Sequence, residues 1–265
     1  MRIALLQMAA VPGRISENLA SIARAAAEAA HGGADLLIAP ELATVGYGAG
    51  AAFRYLAEPR NGAQIASLSA IADSHGLAII AGFPERDGEH VYNSAAFVGG
   101  GAEPVVYRKS HLYGDYERDL FTRGDPTSTI VQWRGLRIGL LICYDVEFPE
   151  NVRRAVLDGA DLVAVPTALP AGPQAGFISE RVIQVRAFEN QIFVAYANHT
   201  GRDDLFTYAG LSHVVGPDGR TLARASADET GLLFAEIRPE DYAASRAANP
   251  YLSDLRVGPA LVGDR

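Results

Sequence analysis

Gly33-Ala34-Asp35-Leu36-Leu37-Ile38-Ala39-Pro40 and Gly159-Ala160-Asp161-Leu162-Val163-Ala164-Val165-Pro166 read almost alike. Each is a short apolar run that follows a helical pattern and ends at proline. A run this apolar is a strand buried on both faces. Two explanations are open. Two βα units share one good solution, or the chain is a pseudo-symmetric pair of half-sheets, each with its own helix layer. Either places Glu41 and Thr167 just past the carboxyl ends of buried strands, where α/β folds put their chemistry.

Outward from these copies, apolar runs alternate with helical patterns for about 200 residues. Ile3–Leu6 reads as a strand. Ser16 stands as an N-cap before Leu19, Ile22, Ala23, Ala26 and Ala30, and Gly32-Gly33 stops that helix. Ala63–His75 is a helix. Leu77–Phe83, Val91–Val98, Val105–Tyr107 and Leu136–Ile142 are strands. Phe148–Leu157 and Ser179–Asn190 are helices, and Leu162–Val165 and Ile192–Ala197 are strands. Hairpins at Gln132–Leu136 and Gly216–Gly219 make the sheet mixed, with helices outside. Gly231–Ile237 is the last strand. The tail from Pro239 is poorly patterned and needs another surface to pack on.

The chain has 265 residues, 49% hydrophobic and 20% charged, with a formal net charge of −8. The acidic balance argues against nucleic acid, where basic residues supply the affinity. The first residues, Met1 to Gln7, lack the long apolar run of a signal peptide. No window approaches the length of a membrane span. One cysteine excludes an intramolecular disulfide and CxxC metal sites, and fits a reducing, cytoplasmic setting. Gly99-Gly100-Gly101 lacks a phosphate-loop pattern and no metal-ligand cluster is evident, so no metal or organic cofactor is implied.

That cysteine, Cys143, sits in Gly139-Leu140-Leu141-Ile142-Cys143-Tyr144-Asp145, ahead of a helix that Pro149 is suited to begin. A thiol at such a strand-to-helix elbow has free backbone N–H groups beside it, which suit an oxyanion. The plainer alternative is a buried structural cysteine. A nucleophilic thiol needs a base or a cation. Among six histidines, His111 and His199 follow strands, but their spacing selects neither. Lys109 is the only lysine, placed at a strand end where arginine is otherwise the default cation. It is either a surface lysine or a compact charge put to use. Glu41 likewise is either solvated or a general base.

Pro40-Glu41-Leu42, Tyr107-Arg108-Lys109-Ser110-His111-Leu112 and Ile142-Cys143-Tyr144-Asp145, in that order, resemble the Glu–Lys–Cys motifs of the nitrilase, or carbon–nitrogen hydrolase, superfamily. The resemblance runs from Met1 to about Arg256. It implies a single carbon–nitrogen hydrolase domain over residues 1–265. The implied fold is an α-β-β-α sandwich with two mixed sheets and outer helices, able to form four layers. It also implies a homodimer or higher homo-oligomer, with the tail 239–265 packing on a partner subunit. By the same resemblance Cys143 is the nucleophile that forms a thioester and Glu41 the general base. Lys109 holds the oxyanion with the Tyr144 N–H, and Glu117 is the second glutamate of the amidase members. The alternative for Glu117 is a solvated acid on a loop, with Asp115 and Asp119 on either side.

Tyr144-Asp145 after the cysteine resembles the amidase branch, where nitrilases carry Trp-Glu. Glu147 stands where many omega-amidase-like members carry arginine. With Gly46-Tyr47, Ala197-Asn198-His199 and the Pro250–Arg256 tail, it resembles bacterial 5-aminopentanamidases and R-selective aliphatic amidases. The implied activity is hydrolysis of a small primary carboxamide, of omega-amino type if Glu147 faces the pocket. Otherwise Glu147 pairs with an arginine or supports the helix N-terminus. Tyr47, Tyr113, Phe148, Thr167, Ala168, Leu169 and Asn198 are candidates for the pocket wall, with ordinary packing as their alternative. The rival activities are N-carbamoyl or nitrile hydrolysis, a Cys–His peptidase, and a non-catalytic partner-binding member.

Overall fold

The computed structural model describes residues 1–256; residues 257–265, with the end of the expected partner-binding tail, lie outside it. The first half of the chain builds one six-stranded sheet. It contains β1 (Arg2–Gln7), β2 (Leu36–Ile38), β3 (Ala78–Asp87), β4 (His90–Val98) and β5 (Val105–Arg108). Helices α1 (Ile15–His31), α2 (Phe53–Leu56) and α3 (Ala63–His75) are interleaved, and α4 (Gly114–Leu120) follows. The second half holds β6 (Ile130–Trp133), β7 (Leu136–Leu140), α5 (Pro149–Leu157), β8 (Leu162–Thr167), α6 (Ala175–Phe177) and α7 (Ile183–Asn190). β9 (Phe193–Asn198), β10 (His213–Val215) and β11 (Thr221–Arg224) complete the second sheet. β12 (Gly231–Glu236) returns to pair antiparallel with β1 in the first sheet.

The sheet orders are β12-β1-β2-β3-β4-β5 and β6-β7-β8-β9-β10-β11. In each, three parallel strands are flanked by one antiparallel strand on one side and two on the other. β2 and β8, the two similar stretches, are the middle parallel strands of their sheets. The echo therefore marks a true pseudo-symmetry.

Alternation along the strands explains the layers. Leu36 and Ile38 of β2 face the second sheet, in one core with Ile138, Leu162 and Phe193. Leu37 and Ala39 face the other way, against Ile22, Ala26 and Ala29 of α1 and Ile65 and Leu68 of α3. On the far side, α5 and α7 cover the second sheet. The result is the expected α-β-β-α sandwich of two mixed sheets. The described part of the tail, with α8 (Ala243–Ala248) and α9 (Tyr251–Asp254), packs back on this chain: Tyr242 meets Phe193 at 5.1 Å and Tyr251 meets Phe188 at 5.7 Å.

Some local expectations shift. α1 begins at Ile15, one residue before Ser16, and no side chain caps it. Asn18 instead accepts the Val11 N–H at 2.8 Å and donates to Val11 O and Thr44 O, tying the helix start to the Glu41 loop. β7 ends at Leu140, two residues short of Ile142. α4 and the turns of Tyr47–Leu56 went unread because they lack an apolar stripe of useful length. No helix among the described residues is long and apolar enough to cross a membrane.

Gly82 on β3 fixes where Glu41 can sit. A Cβ there would stand 2.1 Å from Leu42 N and 2.6 Å from Glu41 Cα. Only a residue without a side chain lets the loop lie on the strand. Gly82→Ala should cost about 1–3 kcal/mol, the range for overpacking. A urea unfolding curve checks this; an unchanged midpoint with unchanged activity would show that the loop has room.

Candidate active site

Three strand ends and one helix converge above the sheets. Glu41 follows β2, Lys109 follows β5, Cys143 follows β7, and Glu117 lies on α4. Glu41 and Glu117 are fully buried and Lys109 is 1% exposed. Lys109 Nζ lies 2.6 Å from Glu41 Oε1 and 2.6 Å from Glu117 Oε1. Burial opposes its charge, but the Glu117 and Glu41 carboxylates outweigh that, and the ammonium is held well above the ordinary lysine value. The surface reading of Lys109 and the solvated-loop reading of Glu117 are both excluded by this burial.

The two glutamates are bonded differently. Glu117 has both oxygens occupied: Oε1 accepts from Lys109 and from Tyr47 OH at 2.8 Å, and Oε2 accepts the Tyr113 N–H at 2.8 Å. Burial raises its pKa, Lys109 lowers it and Glu41 raises it again, with a net rise. Glu41 Oε1 accepts from Lys109 and from Asn93 Nδ2 at 2.7 Å, while its buried Oε2 has no partner among the described residues. A buried carboxylate oxygen without a donor is costly, and such an exception calls for a role.

Cys143 is 8% exposed and adopts φ 45°, a left-handed conformation unusual for a residue with a side chain. It opens the tight turn Cys143–Glu147, whose first bond runs from Asp145 N–H to Ile142 O at 3.0 Å. The N–H groups of Cys143 and Tyr144 precede that bond. Burial first, and then the Glu41 carboxylate, push the thiol well up; Lys109 and the Ala168 N–H pull it down. The sulfur thus lies in the field of all three charged groups, and their balance with burial disfavours the thiolate.

The remaining candidates divide by position. Tyr113, Tyr144 and Phe148 form an edge-to-face aromatic row with centroids 5.1 and 4.9 Å apart, and Phe148 stacks on His111 at 4.0 Å. Thr167 Oγ1 bonds Val165 O, and its own carbonyl faces the Glu41 N–H at 3.4 Å. Asn198 has both ends of its amide on main chain, Leu169 N–H and Gly210 O, so it braces the Thr167–Leu169 loop. Glu147 is half-buried, and no hydrogen bond or ion pair of its carboxylate is found among the described residues. Burial raises its pKa, against pulls from Lys109 and Arg186. Its carbonyl, with that of Val146, accepts from Arg186. Among the described residues no group of three His, Cys, Asp or Glu is placed to hold a metal ion.

The family model described as carbon-nitrogen hydrolase matches residues 2–247. The chain belongs to the carbon–nitrogen hydrolase family. Within this family it is 40% identical to a Pseudomonas protegens protein named "Hydrolase in pqqF 5'region", covering 100% of this chain and 91% of that one. It is 36% identical to an (R)-stereoselective amidase from a Pseudomonas species, over 97% and 92% of the two chains. An amidase from Nesterenkonia superposes with TM-score 0.86 at 36% identity, covering 97% of this chain and 93% of that chain. Further structures of that amidase show a cysteine-to-alanine variant with butyramide, and a glutamate-to-glutamine variant in which acrylamide has added to the active-site cysteine. This carbon–nitrogen hydrolase is an enzyme of the amidase branch of the nitrilase superfamily.

Asp145 is the residue that sequence reading passed over. It was read only as a branch marker, yet it is fully buried. Its carboxylate accepts from Tyr107 OH, Ser110 Oγ and His111 N–H at 2.9 Å each, and from Ile142 N–H at 3.2 Å. It therefore ties the residue before Cys143 to the residues around Lys109. Asn93 was missed as well, for it lies mid-strand on β4, where only pairing shows which loop it faces. Asp145→Asn keeps the shape but turns one acceptor into a donor facing donors. The expected loss is about 1–3 kcal/mol, the cost of buried groups left unpaired, with a fall in kcat. Urea unfolding and amide turnover check this, and wild-type values in both would remove Asp145 from the site's framework.

Proposed function

We propose that this chain hydrolyses small primary carboxamides to carboxylate and ammonia through a thioester on Cys143, with preference for amides that carry an amino group at the far end. The observation that carries the chemistry is that Glu41 Oε2 has no partner among the described residues, in a site where the Glu41 charge acts on the buried Cys143 thiol. Glu41 Oε1 is fixed by Lys109 and Asn93, so Oε2 is the oxygen left to take a proton.

The steps follow from this placement. Glu41 Oε2 takes the Sγ proton as sulfur attacks the amide carbon. The carbonyl oxygen becomes an oxyanion. An ammonium has three N–H donors, and Lys109 gives two of them to glutamates. Its third, with the Tyr144 N–H, is left for the oxyanion. The intermediate collapses as the C–N bond breaks and Glu41 returns its proton to the leaving nitrogen, releasing ammonia. Water then attacks the thioester and gives its proton to Glu41. Collapse breaks the C–S bond, frees the carboxylic acid and restores the thiol. Glu117, bonded on both oxygens, holds Lys109 between the two carboxylates throughout. The butyramide and acrylamide seen in the Nesterenkonia amidase support a small aliphatic acyl group here.

Glu147 supports the finer substrate reading. A half-buried carboxylate with no ion pair among the described residues, close enough to feel Lys109, favours a cationic end over an anionic one. The apolar side chains Leu157, Phe177 and Val185, 50–65% exposed on the outer helices, support a homo-oligomer joined through this layer. A lone cysteine serving as nucleophile also supports a reducing, cytoplasmic setting.

An amide panel read by ammonia release tests the activity. Wild type should release ammonia and carboxylate without carbon dioxide. Cys143→Ala should be inactive, and Lys109→Ala should lose about 10²–10³ in kcat. Carbon dioxide from N-carbamoyl substrates, faster turnover of nitriles, or turnover that survives Cys143→Ala would overturn the reading. For the finer claim, Glu147→Gln should lower kcat/KM about tenfold, or about 1.4 kcal/mol, on amino-terminated amides while sparing plain aliphatic ones. Equal loss on both classes would sink charge selection.

A further inference from the structure

His199 follows β9 at the seam between the two sheets and is 1% exposed. Met8 and His199 form a parallel bridge that joins the end of β1 to the end of β9. The ring reaches across this seam. Its Nε2 lies 2.7 Å from the main-chain oxygen of Glu41, and its Nδ1 lies 3.2 Å from Met8 O. Both partners are carbonyls, which only accept. The shorter contact therefore requires the proton on Nε2. Met8 O already accepts the Thr200 N–H at 3.0 Å, so the neutral ring leaves neither carbonyl unpaired. Burial also pushes the His199 pKa down, in keeping with a neutral ring.

Glu41 is otherwise loosely tethered at its own peptide. Its N–H reaches Thr167 O only at 3.4 Å, and Leu42 after it adopts φ 49°. The neighbouring links from Ala39 N–H to Ile80 O and from Gly82 N–H to Pro40 O hold the strand before it. The bond from His199 is thus the short main-chain tether of Glu41 itself.

We propose that His199 is a positioning residue: its Nε2–H, donated to the Glu41 carbonyl, aims the free Glu41 oxygen at the Cys143 thiol. It touches no reacting atom. This role rests on the proposed chemistry at Glu41 and Cys143. It differs from a Cys–His dyad, because both ring nitrogens are turned to main-chain carbonyls, Glu41 O and Met8 O, rather than to the sulfur.

His199→Phe keeps the ring and removes the donor, whereas His199→Gln can return an N–H to the same carbonyl. A displacement of a base by about 1 Å costs about a hundredfold, so His199→Phe should lower kcat about 10- to 100-fold with KM within about threefold. Alkylation of Cys143 by iodoacetamide at pH 7, per folded molecule, should slow in parallel, since the buried thiol has lost the acceptor for its proton. His199→Gln should recover both to within about fivefold of wild type. The proposal is overturned if His199→Phe matches wild type. It is equally overturned if its deficit follows only the folded fraction, with alkylation per folded molecule unchanged, or if Gln restores nothing. The alkylation arm needs no turnover. If wild type hydrolyses no amide, the proposed activity fails while the role of His199 is still decided.

Discussion

Lys109 between Glu41 and Glu117 is the constraint around which the rest of the site is arranged. Two buried carboxylates 2.6 Å from one ammonium leave a net negative charge inside the protein. Burying ions is expensive unless every charge is paired and bonded. The structure meets this demand with Tyr47 and the Tyr113 N–H on Glu117, and with Asn93 on Glu41. One carboxylate oxygen, Glu41 Oε2, has no partner among the described residues. That unmet bond is what chemistry can use, because a proton arriving there relieves both the missing bond and the excess charge.

The scaffold makes this arrangement repeatable in space. Each of the three charged or nucleophilic side chains closest to the thiol chemistry leaves a different strand at its carboxyl end. The sheets are buried on both faces and pressed together through side chains such as Ile38 and Leu162. Loops leaving such strands inherit their precision. Gly82 sets the depth of the Glu41 loop, Asp145 sets the spacing of the Cys143 turn from Lys109, and Arg186 clamps the far side of that turn. The left-handed Cys143 is tolerated because these contacts over-determine it.

Much of this was legible without coordinates. The strand and helix alternation is carried by apolar spacing, so Ala63–His75 and the strands around Leu36 and Leu162 stand where expected. The two similar stretches hinted at pseudo-symmetry, and their places as middle parallel strands explain why the same solution appears twice. The lone lysine and lone cysteine stood out by scarcity. Elements without such a signal were not legible. Gly114–Leu120 is too short for a helical stripe, and only the family resemblance, not any local pattern, sets Glu117 apart from Asp115 and Asp119, because burial leaves no mark on a single acid.

By itself, then, the chain's order of residues determined which chemistry was at hand: a thiol, an acid and a lone ammonium at strand ends, in a buried two-sided strand pattern. Periodicity and composition are local properties, and they are written along the chain. The tertiary structure alone decided which oxygen of Glu41 is free, that Glu117 and not its neighbours meets Lys109, and that Asp145, Asn93 and His199 belong to the site. These are facts of distance between residues from eight positions apart, for Lys109 and Glu117, to 158, for Glu41 and His199. Strand order in the first sheet brings Glu41, Asn93 and Lys109 within the 3 Å over which a hydrogen bond acts, and the packing of the second sheet on it adds Asp145 and His199.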